Sequence, residues 1–161
     1  MFSEHKKLKS IVLPDYITKI GERAFEYCLL ENVVFPDEGL EVIGEYAFSQ
    51  YGSVERRNSK MYNIPSSIKK VENFGFYGVD FGSKLYLPNI EELDLGKIVA
   101  DEVFLGPKLK SAGLVRIEVN RVIIDESNPV FYVSGQAIVH RAWRTIIGWA
   151  AGKNHGYLYS K

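Results

Sequence analysis

The chain has 161 residues, of which 46% are hydrophobic and 25% are charged, and its 20 basic residues balance 20 acidic ones. These values are those of an ordinary globular domain, so we expect one domain over 1–161. The balanced charge gives no sign of nucleic-acid binding, which usually leaves a basic footprint. The single cysteine, Cys28, excludes an internal disulfide.

A repeat of 22 to 23 residues dominates the first third of the chain. The segment Ile11–Pro14 returns as Val33–Pro36, 22 residues later, and Ile20–Phe25 returns as Ile43–Phe48, 23 residues later. A period of this length is typical of a solenoid, in which stacked units share one core. Residues 8–51 are therefore predicted to form two regular repeats.

Each repeat is predicted to contain a strand, a corner and a short helical turn. Alternate apolar residues such as Ile11 and Leu13 indicate a strand with one buried face. The proline that follows ends the strand, because it lacks an N–H donor. Gly21 allows a tight turn, and Ala24-Phe25 fits a helical turn whose phenylalanine fills the core.

Looser repeats are expected over residues 52–121. The polar insertion 52–60 is predicted to be a surface loop, and a third copy then places Ile68, Val71 and Phe76 after Pro65 with the spacing of the first copy. A fourth strand is predicted at Leu85–Leu87, directly before Pro88.

Beyond the fourth strand the predicted register is less regular. Ile90, Leu93 and Leu95 are interpreted as a further strand of the same type, with Gly96 in the place of the proline. We count five or six turns. Two further alignments pair Val99–Phe104 with Ile20–Phe25, and Leu114, Ile117 and Val119 with Leu8, Ile11 and Leu13.

The repeat resembles the BspA-type leucine-rich repeat, whose units follow approximately L-x-x-I-x-I-P-x-x-V-x-x-I-G-x-x-A-F-x-x-C. Leu8–Cys28 is close to a full match, and Leu30–Tyr51 matches with one inserted residue. Val122–Phe131, with its N-P-x-F turn, is similar to a companion unit of these proteins that leads into a β-hairpin. The resemblance implies an α/β repeat fold rich in β-structure: a short right-handed leucine-rich-repeat solenoid with a C-terminal β-hairpin unit over 122–161.

The resemblance also implies a bacterial protein, often on a cell surface, that binds host proteins or other macromolecules. We therefore expect a non-enzymatic protein-binding module, adhesin-like in its role. The alternative is a small intracellular or phage-encoded protein that binds and inhibits a target protein. An enzyme or a carbohydrate-binding protein is a third hypothesis, supported by little beyond the aromatic content.

The compartment stays open between two expectations. The N-terminal residues lack the apolar segment of a secretory signal, and no run approaches the ~20 apolar residues of a membrane span. The chain is thus either a complete cytoplasmic protein or a piece of a longer exported one, which would be extracellular or on the cell surface. Self-association through the solenoid ends is a further alternative.

No catalytic or metal-binding pattern is present in the sequence. The three histidines, His5, His140 and His155, are far apart and lack metal-ligand spacing. Cys28 has a repeat position that suits a buried thiol acting as a small hydrophobe. We predict no enzyme, no bound metal and no cofactor.

Two columns of outward-facing residues follow from strand alternation. Residues two and four positions before each proline point away from the core. The apolar members form either a stripe that binds a partner or a set of residues that simply suit strands. The first column is Val12, Val34, Asn63 and Tyr86, and the second is Ser10, Asn32, Met61 and Lys84.

A cluster near the C-terminus has two interpretations. His140, Arg141 and Arg144 flank Trp143. They form either a local basic patch or, as we prefer, a solvated face of the hairpin with the tryptophan packed beneath it.

Overall fold

A computed structural model of the chain describes residues 7–50, 59–61, 63–113, 117–150 and 152. These ranges contain strands and turns but no helix, and so none that is long and apolar enough to cross a membrane. The strands are β1 Ser10–Val12, β2 Lys19–Ile20, β3 Asn32–Val34, β4 Val42–Ile43, β5 Ser59–Lys60, β6 Lys70–Val71, β7 Val79–Asp80, β8 Lys84–Leu87, β9 Glu92–Asp94, β10 Val99–Leu105, β11 Ser111–Gly113, β12 Glu118–Ile124, β13 Phe131–Ser134, β14 Ala137–His140 and β15 Thr145–Trp149.

The chain winds into a β-solenoid of about five turns. The first side of each turn carries the strand that ends at a proline-type corner, such as β1, β3 and β8. The second side carries a short parallel strand, in the order β11-β9-β6-β4-β2. The third side consists of turns and of short strands such as β5 and β7. In the third turn residues 52–58 of the predicted insertion lie outside the described residues, while Ser59–Lys60 pairs with β7 as a strand.

The second side corrects the interpretation of residues 90–95. Leu93 pairs in register with Val71, which pairs with Ile43, which pairs with Ile20. All four are buried, so β9 repeats the strand after the proline rather than the strand before it. The misassignment arose because Pro88 is followed by Leu93 one residue earlier than Pro65 is followed by Val71.

The predicted match of Val99–Phe104 with Ile20–Phe25 is also wrong. The second half of β10 lies on the first side, where Phe104 and Leu105 pair with Tyr86 and Leu87. Gly106 therefore takes the corner position of Pro88. An added Cβ at Gly106 would lie 1.9 Å from the Pro88 carbonyl oxygen, so the packing excludes the side chain that marks this corner in earlier turns.

The same error shifts the next predicted strand. Val122 and Ile124 pair with Val103 and Leu105, and they take the place that we predicted for Ile117 and Val119. Val119 instead pairs with Ala100 on the third side, and Leu114 lies outside the described residues. The first-side sheet thus extends to Ile124, into the segment assigned to the hairpin unit.

The third side is built from turns, so the predicted short helical turn is wrong. Arg23, Tyr46 and Phe74 occupy equivalent positions and have φ of 52°, 53° and 54°, a left-handed conformation that an α-helix of L-residues does not accommodate. Alternate N–H groups bond to the next turn of the solenoid, as from Phe25 to the Ala47 carbonyl at 2.8 Å.

A column of stacked phenylalanines fills the core beneath these turns. The ring centroids of Phe25 and Phe48 lie 5.2 Å apart, and those of Phe48 and Phe76 lie 5.7 Å apart. All three side chains are buried, as is Cys28. The predicted repeat register is confirmed at these positions, and Cys28 is a core residue.

A three-stranded antiparallel sheet, β13-β14-β15, follows the solenoid. Gly135 and Gln136 connect β13 to β14, and only Gly135 of the two has a positive φ, 60°, which is the pattern of a type II′ turn. Residues 153–161 of the predicted unit lie outside the described residues.

Candidate protein-binding surface

The first side of the solenoid exposes apolar residues in register. Val12 and Val34 are direct partners on β1 and β3, and Val12 is 72% exposed. Tyr86 on β8 is exposed as well. The neighbouring polar positions Ser10 and Asn32 are also direct partners and both exposed. The first two turns thus present an apolar row beside a polar one.

Met61 does not belong to this surface, because it is only 1% exposed. Its N–H donates to the Asp80 carbonyl at 3.0 Å, so it continues the third side and turns into the core. Asn63 is exposed and has φ of 56°, which breaks the strict alternation used to count back from Pro65. In this turn, therefore, only Asn63 of the two predicted positions faces solvent.

Two residues that the sequence argument missed extend the aromatic part of the surface. The ring of Phe104 stacks on that of Tyr86 with centroids 4.9 Å apart, and Ile123 is the partner of Phe104 on β12. Both are half-buried. The signal that would have found Phe104 is the alternation Val103-Phe104-Leu105, which ends at a glycine rather than at a proline.

Charged residues of alternating sign run beside this aromatic column. Glu102 lies between Lys84 and Arg121, with N–O distances of 3.3 and 3.7 Å. The Lys84 ammonium also lies 5.1 Å from the centre of the Tyr86 ring, within the range of a cation–π interaction. The first side therefore combines an aromatic row with a fixed row of charges. We define Tyr86, Phe104 and Ile123 with Lys84, Glu102 and Arg121 as the first-side surface.

The second side has a different character, because none of the large exposed hydrophobic residues lies on its described strands, and its charged residues pair with one another between turns. Lys69 and Glu41 lie 2.6 Å apart, and Lys110 and Glu91 lie 2.8 Å apart. The hydrogen bond from Lys110 lowers the pKa of Glu91. These charges are satisfied within the chain, and this side offers few apolar atoms to a protein partner.

An acidic groove of about 600 Å³ lies over β6, β9 and β11 on this side. Burial raises the pKa of Asp94, while backbone N–H groups of Phe74 and Gly96 act in the opposite direction. Lys70 lies within the groove and pairs with Glu92 at 2.9 Å. Across the ranges that the structure describes, no group of three or more His, Cys, Asp or Glu residues is arranged to hold a metal ion.

A second row of stacked side chains lies where the second side turns into the third. The Arg23 guanidinium lies 4.8 Å from the centre of the Tyr46 ring, and the rings of Tyr46 and Phe74 are 5.5 Å apart. Tyr46 and Phe74 are half-buried. These side chains stack on one another between turns and so stabilise the solenoid. They leave less exposed surface for a partner than the first side does.

The structure corrects the preferred interpretation of the cluster around Trp143. This tryptophan is 71% exposed and stacks on His140, with centroids 3.8 Å apart, rather than packing beneath the hairpin. Phe131, which contacts His140 edge-on, occupies the space below. Arg141 turns away toward Tyr132, whose ring centre lies 5.0 Å from the guanidinium.

The outer face of the hairpin sheet is also apolar. Tyr132, Val139 and Ile146 are direct partners across the three strands, and Trp149 lies two pairs further along the same face. Tyr132, Ile146 and Trp149 are exposed. The aromatic residues of this face and of the first side are the kind that protein interfaces favour.

The architecture described above matches one protein family. The family model described as the BspA type leucine-rich repeat region matches residues 1–110, with six copies of the repeat. The comparisons with curated proteins and with solved structures gave no significant match. The family match covers more than half of the 161 residues, so the chain belongs to the BspA-type leucine-rich repeat family.

Proposed function

We propose that this chain is a non-enzymatic protein-binding module whose contact area is the first side of the solenoid. The observation that supports it most directly is the contrast between the two sides. The first side leaves Val12, Val34 and Tyr86 exposed, whereas the second side pairs its charges internally. Leucine-rich repeats generally serve protein interaction, and membership in this family supports the same reading.

The physical argument concerns what each side gains on contact. Exposed apolar and aromatic groups release ordered water when a partner covers them. The favourable free energy is roughly 25 cal/mol for each Å² of apolar surface that is buried. Tyrosine adds a hydrogen-bonding group to its apolar area, and it is enriched among the residues that dominate binding energy. A partner placed on the second side would instead cover mainly charged groups that are already paired, such as Lys69 and Glu41, and would bury little apolar area.

The finer proposal is a recognition domain of a bacterial cell surface, adhesin-like in its role. The family resemblance and the presence of an extended apolar surface support it. Such a domain binds an extracellular or host-surface protein, so the partner is expected in that fraction.

The test is an affinity capture with the purified chain as bait, from extracellular-matrix and host-membrane extracts and from bacterial lysate in parallel. The variant Val12→Ser/Val34→Ser/Tyr86→Ser removes apolar area on the first side. Lys69→Ser/Lys110→Ser is the matched control on the second side. Capture from the extracellular extracts that is lost in the first variant and kept in the control supports the proposal.

Two outcomes contradict it. Equal capture by the first-side variant excludes the first side as the contact area. Stoichiometric capture of one protein from bacterial lysate alone contradicts the adhesin-like role and favours an intracellular binding protein.

A further inference from the structure

The last strand of the first-side sheet has an open edge. On one edge β12 pairs with β10. On the other, only its beginning is engaged, where Ile117 bridges Ala150 and Gly152 N–H donates to the Val119 carbonyl at 3.0 Å. Within the described parts of the chain no strand pairs with Arg121–Ile124 on this second edge. An open strand edge is a template for a further strand.

The backbone groups on this open edge can be identified. The Asp125 N–H donates to the Leu105 carbonyl on β10 at 2.9 Å. Because alternate residues of a parallel strand bond to opposite sides, the N–H and C=O groups of Val122 and Ile124 point to the open edge. Their side chains meanwhile lie in the core. The backbone groups of these two residues are therefore available to hydrogen-bond a further strand, whereas their side chains are buried and cannot contact it.

A groove of about 440 Å³ runs along the same edge. One wall is the continuous run 120–126, and the other is the hairpin, including Tyr132, Val133 and Gln136. Ligand sites typically enclose ~300–1,000 Å³, so this groove suits a short extended peptide rather than a folded domain. The position of a Cβ at Gly135, at the rim, is open space.

The side chains around the groove favour an acidic and apolar ligand. The outward-facing residues of β12 are Arg121, which is 71% exposed, and the half-buried Ile123. Across the groove the Arg141 guanidinium lies over Tyr132, and its Nε donates to the Asn128 carbonyl at 3.0 Å. The groove thus presents a guanidinium group beside an apolar side chain on each wall.

The acidic residues of the groove lie at one end and are partly engaged. Asp125 accepts hydrogen bonds from the Ser127 N–H at 3.0 Å and from the Ser127 hydroxyl at 2.6 Å. The Asp125 carboxylate is therefore engaged by hydrogen bonds within its own turn. Glu126 is exposed at the same end. Arg121 lies 3.7 Å from Glu102 on the first side and is 71% exposed, and because a guanidinium has five N–H donors, it can also bind a carboxylate in the groove.

We propose that this groove binds an extended peptide segment of a partner protein, in which an acidic residue and an apolar residue lie two positions apart, by adding it as a strand to β12. Main-chain hydrogen bonds to Val122 and Ile124 supply affinity. Every second side chain of the added strand lies on the outer face with Arg121 and Ile123, and these contacts give selectivity, as in other cases of strand addition. The proposal rests on the proposed protein-binding function, and it names a site that shares Arg121 and Ile123 with the first-side surface.

The test begins with a library of random heptapeptides displayed on phage and selected on the whole purified chain. The strongest binder is then synthesised, and its affinity is measured by titration calorimetry. Arg121→Glu is expected to weaken binding about tenfold or more, because a repulsive pair replaces an attractive one. Lys110→Glu on the second side is the matched control and is expected to leave the affinity unchanged.

Amide hydrogen exchange locates the peptide independently of any variant. The N–H groups of Val122 and Ile124 are expected to become protected in the complex, while those of the second-side strands stay as in the free chain. Selected peptides without acidic residues, binding unaffected by Arg121→Glu, or no protection at these two amides would each overturn the proposal. Failure of the library to yield a binder would do the same.

The result of the peptide experiment can be distinguished from the result of the capture experiment that tests the proposed function. The variant Val12→Ser/Val34→Ser/Tyr86→Ser leaves the groove intact, so it is expected to retain the peptide. Unchanged capture by this variant in the extract experiment, together with retained peptide binding, contradicts the first-side contact area alone.

Discussion

The side-chain amide of Asn128 donates from Nδ2 to the Gly106 carbonyl at 3.2 Å and so joins the hairpin sheet to the last corner of the solenoid. The same nitrogen donates to the Leu109 carbonyl at 3.1 Å, and Oδ1 accepts the N–H groups of Val130 and Phe131 at 2.9 and 2.7 Å. Asn128 is buried. One amide thereby satisfies backbone groups of two structural units that the core encloses.

Replacement of Asn128 with Ala is expected to destabilise the chain by about 3 kcal/mol. Each buried backbone group left without a partner costs ~1–3 kcal/mol, and the loss affects both the corner at Gly106 and the start of β13. Urea unfolding followed by circular dichroism measures it. The nearby exposed Ser127→Ala is a milder comparison, and equal midpoints for the two variants would contradict the structural role of Asn128.

Phe48 lies between the rings of Phe25 and Phe76 and is 1% exposed, whereas Phe25 is 5% exposed. Phe→Ala changes in cores cost ~3–5 kcal/mol, and the cost rises with the cavity left behind. We therefore expect Phe48→Ala to be near the upper end and Phe25→Ala near the lower end. Urea midpoints rank the two variants. Val12→Ser on the surface is the control and is expected to change stability by less than about 0.5 kcal/mol; the reverse ranking of the two phenylalanines would contradict the described stack.

Two glycines provide a matched pair for the corner geometry. A Cβ at Gly106 would overlap the Pro88 carbonyl, whereas the Cβ position at Gly21 has no atom within 4 Å. Gly106→Ala is thus expected to cost about 3 kcal/mol or more, as overpacking does when the backbone has to move. Gly21→Ala is expected to be neutral or slightly stabilising, because the unfolded chain loses freedom. Thermal unfolding of both variants measures the difference, and similar melting temperatures would contradict the close approach at Gly106.

The ion pair of Glu91 and Lys110 predicts an acid-side loss of stability. The hydrogen bond from Lys110 lowers the pKa of Glu91 in the folded chain, so the unfolded chain binds more protons between the two pKa values. The contribution is therefore present above the unfolded pKa of about 4.3 and is lost as pH falls through the folded one. Urea midpoints between pH 6 and 3 measure it. Glu91→Gln should show a shallower decline in this window, and a decline as steep as that of the unmodified chain would exclude this pair as a contributor.

The sequence was most informative where each turn contains the same marks. Pro14, Pro36 and Pro88 end first-side strands as predicted, because a residue without an N–H donor cannot continue the ladder. It was least informative where the proline at the corner is replaced by another residue. The corner at Gly106 carries no proline, and as a result the strands on both sides of it were assigned to the wrong part of the turn.

By itself the sequence determined the repeat, its register at Phe25, Phe48 and Phe76, and membership in its family, because equivalent positions in stacked turns need the same side-chain size and backbone geometry. Only the tertiary structure decided that Met61 is buried and that the half-buried Phe104 and Ile123 extend the apolar row of the first side, since these depend on which strands become neighbours. The open edge of β12 beside the hairpin was likewise beyond the reach of the sequence. It depends on where the hairpin sheet lies relative to β12, and no local sequence pattern specifies the distance between two segments that meet only in the folded chain.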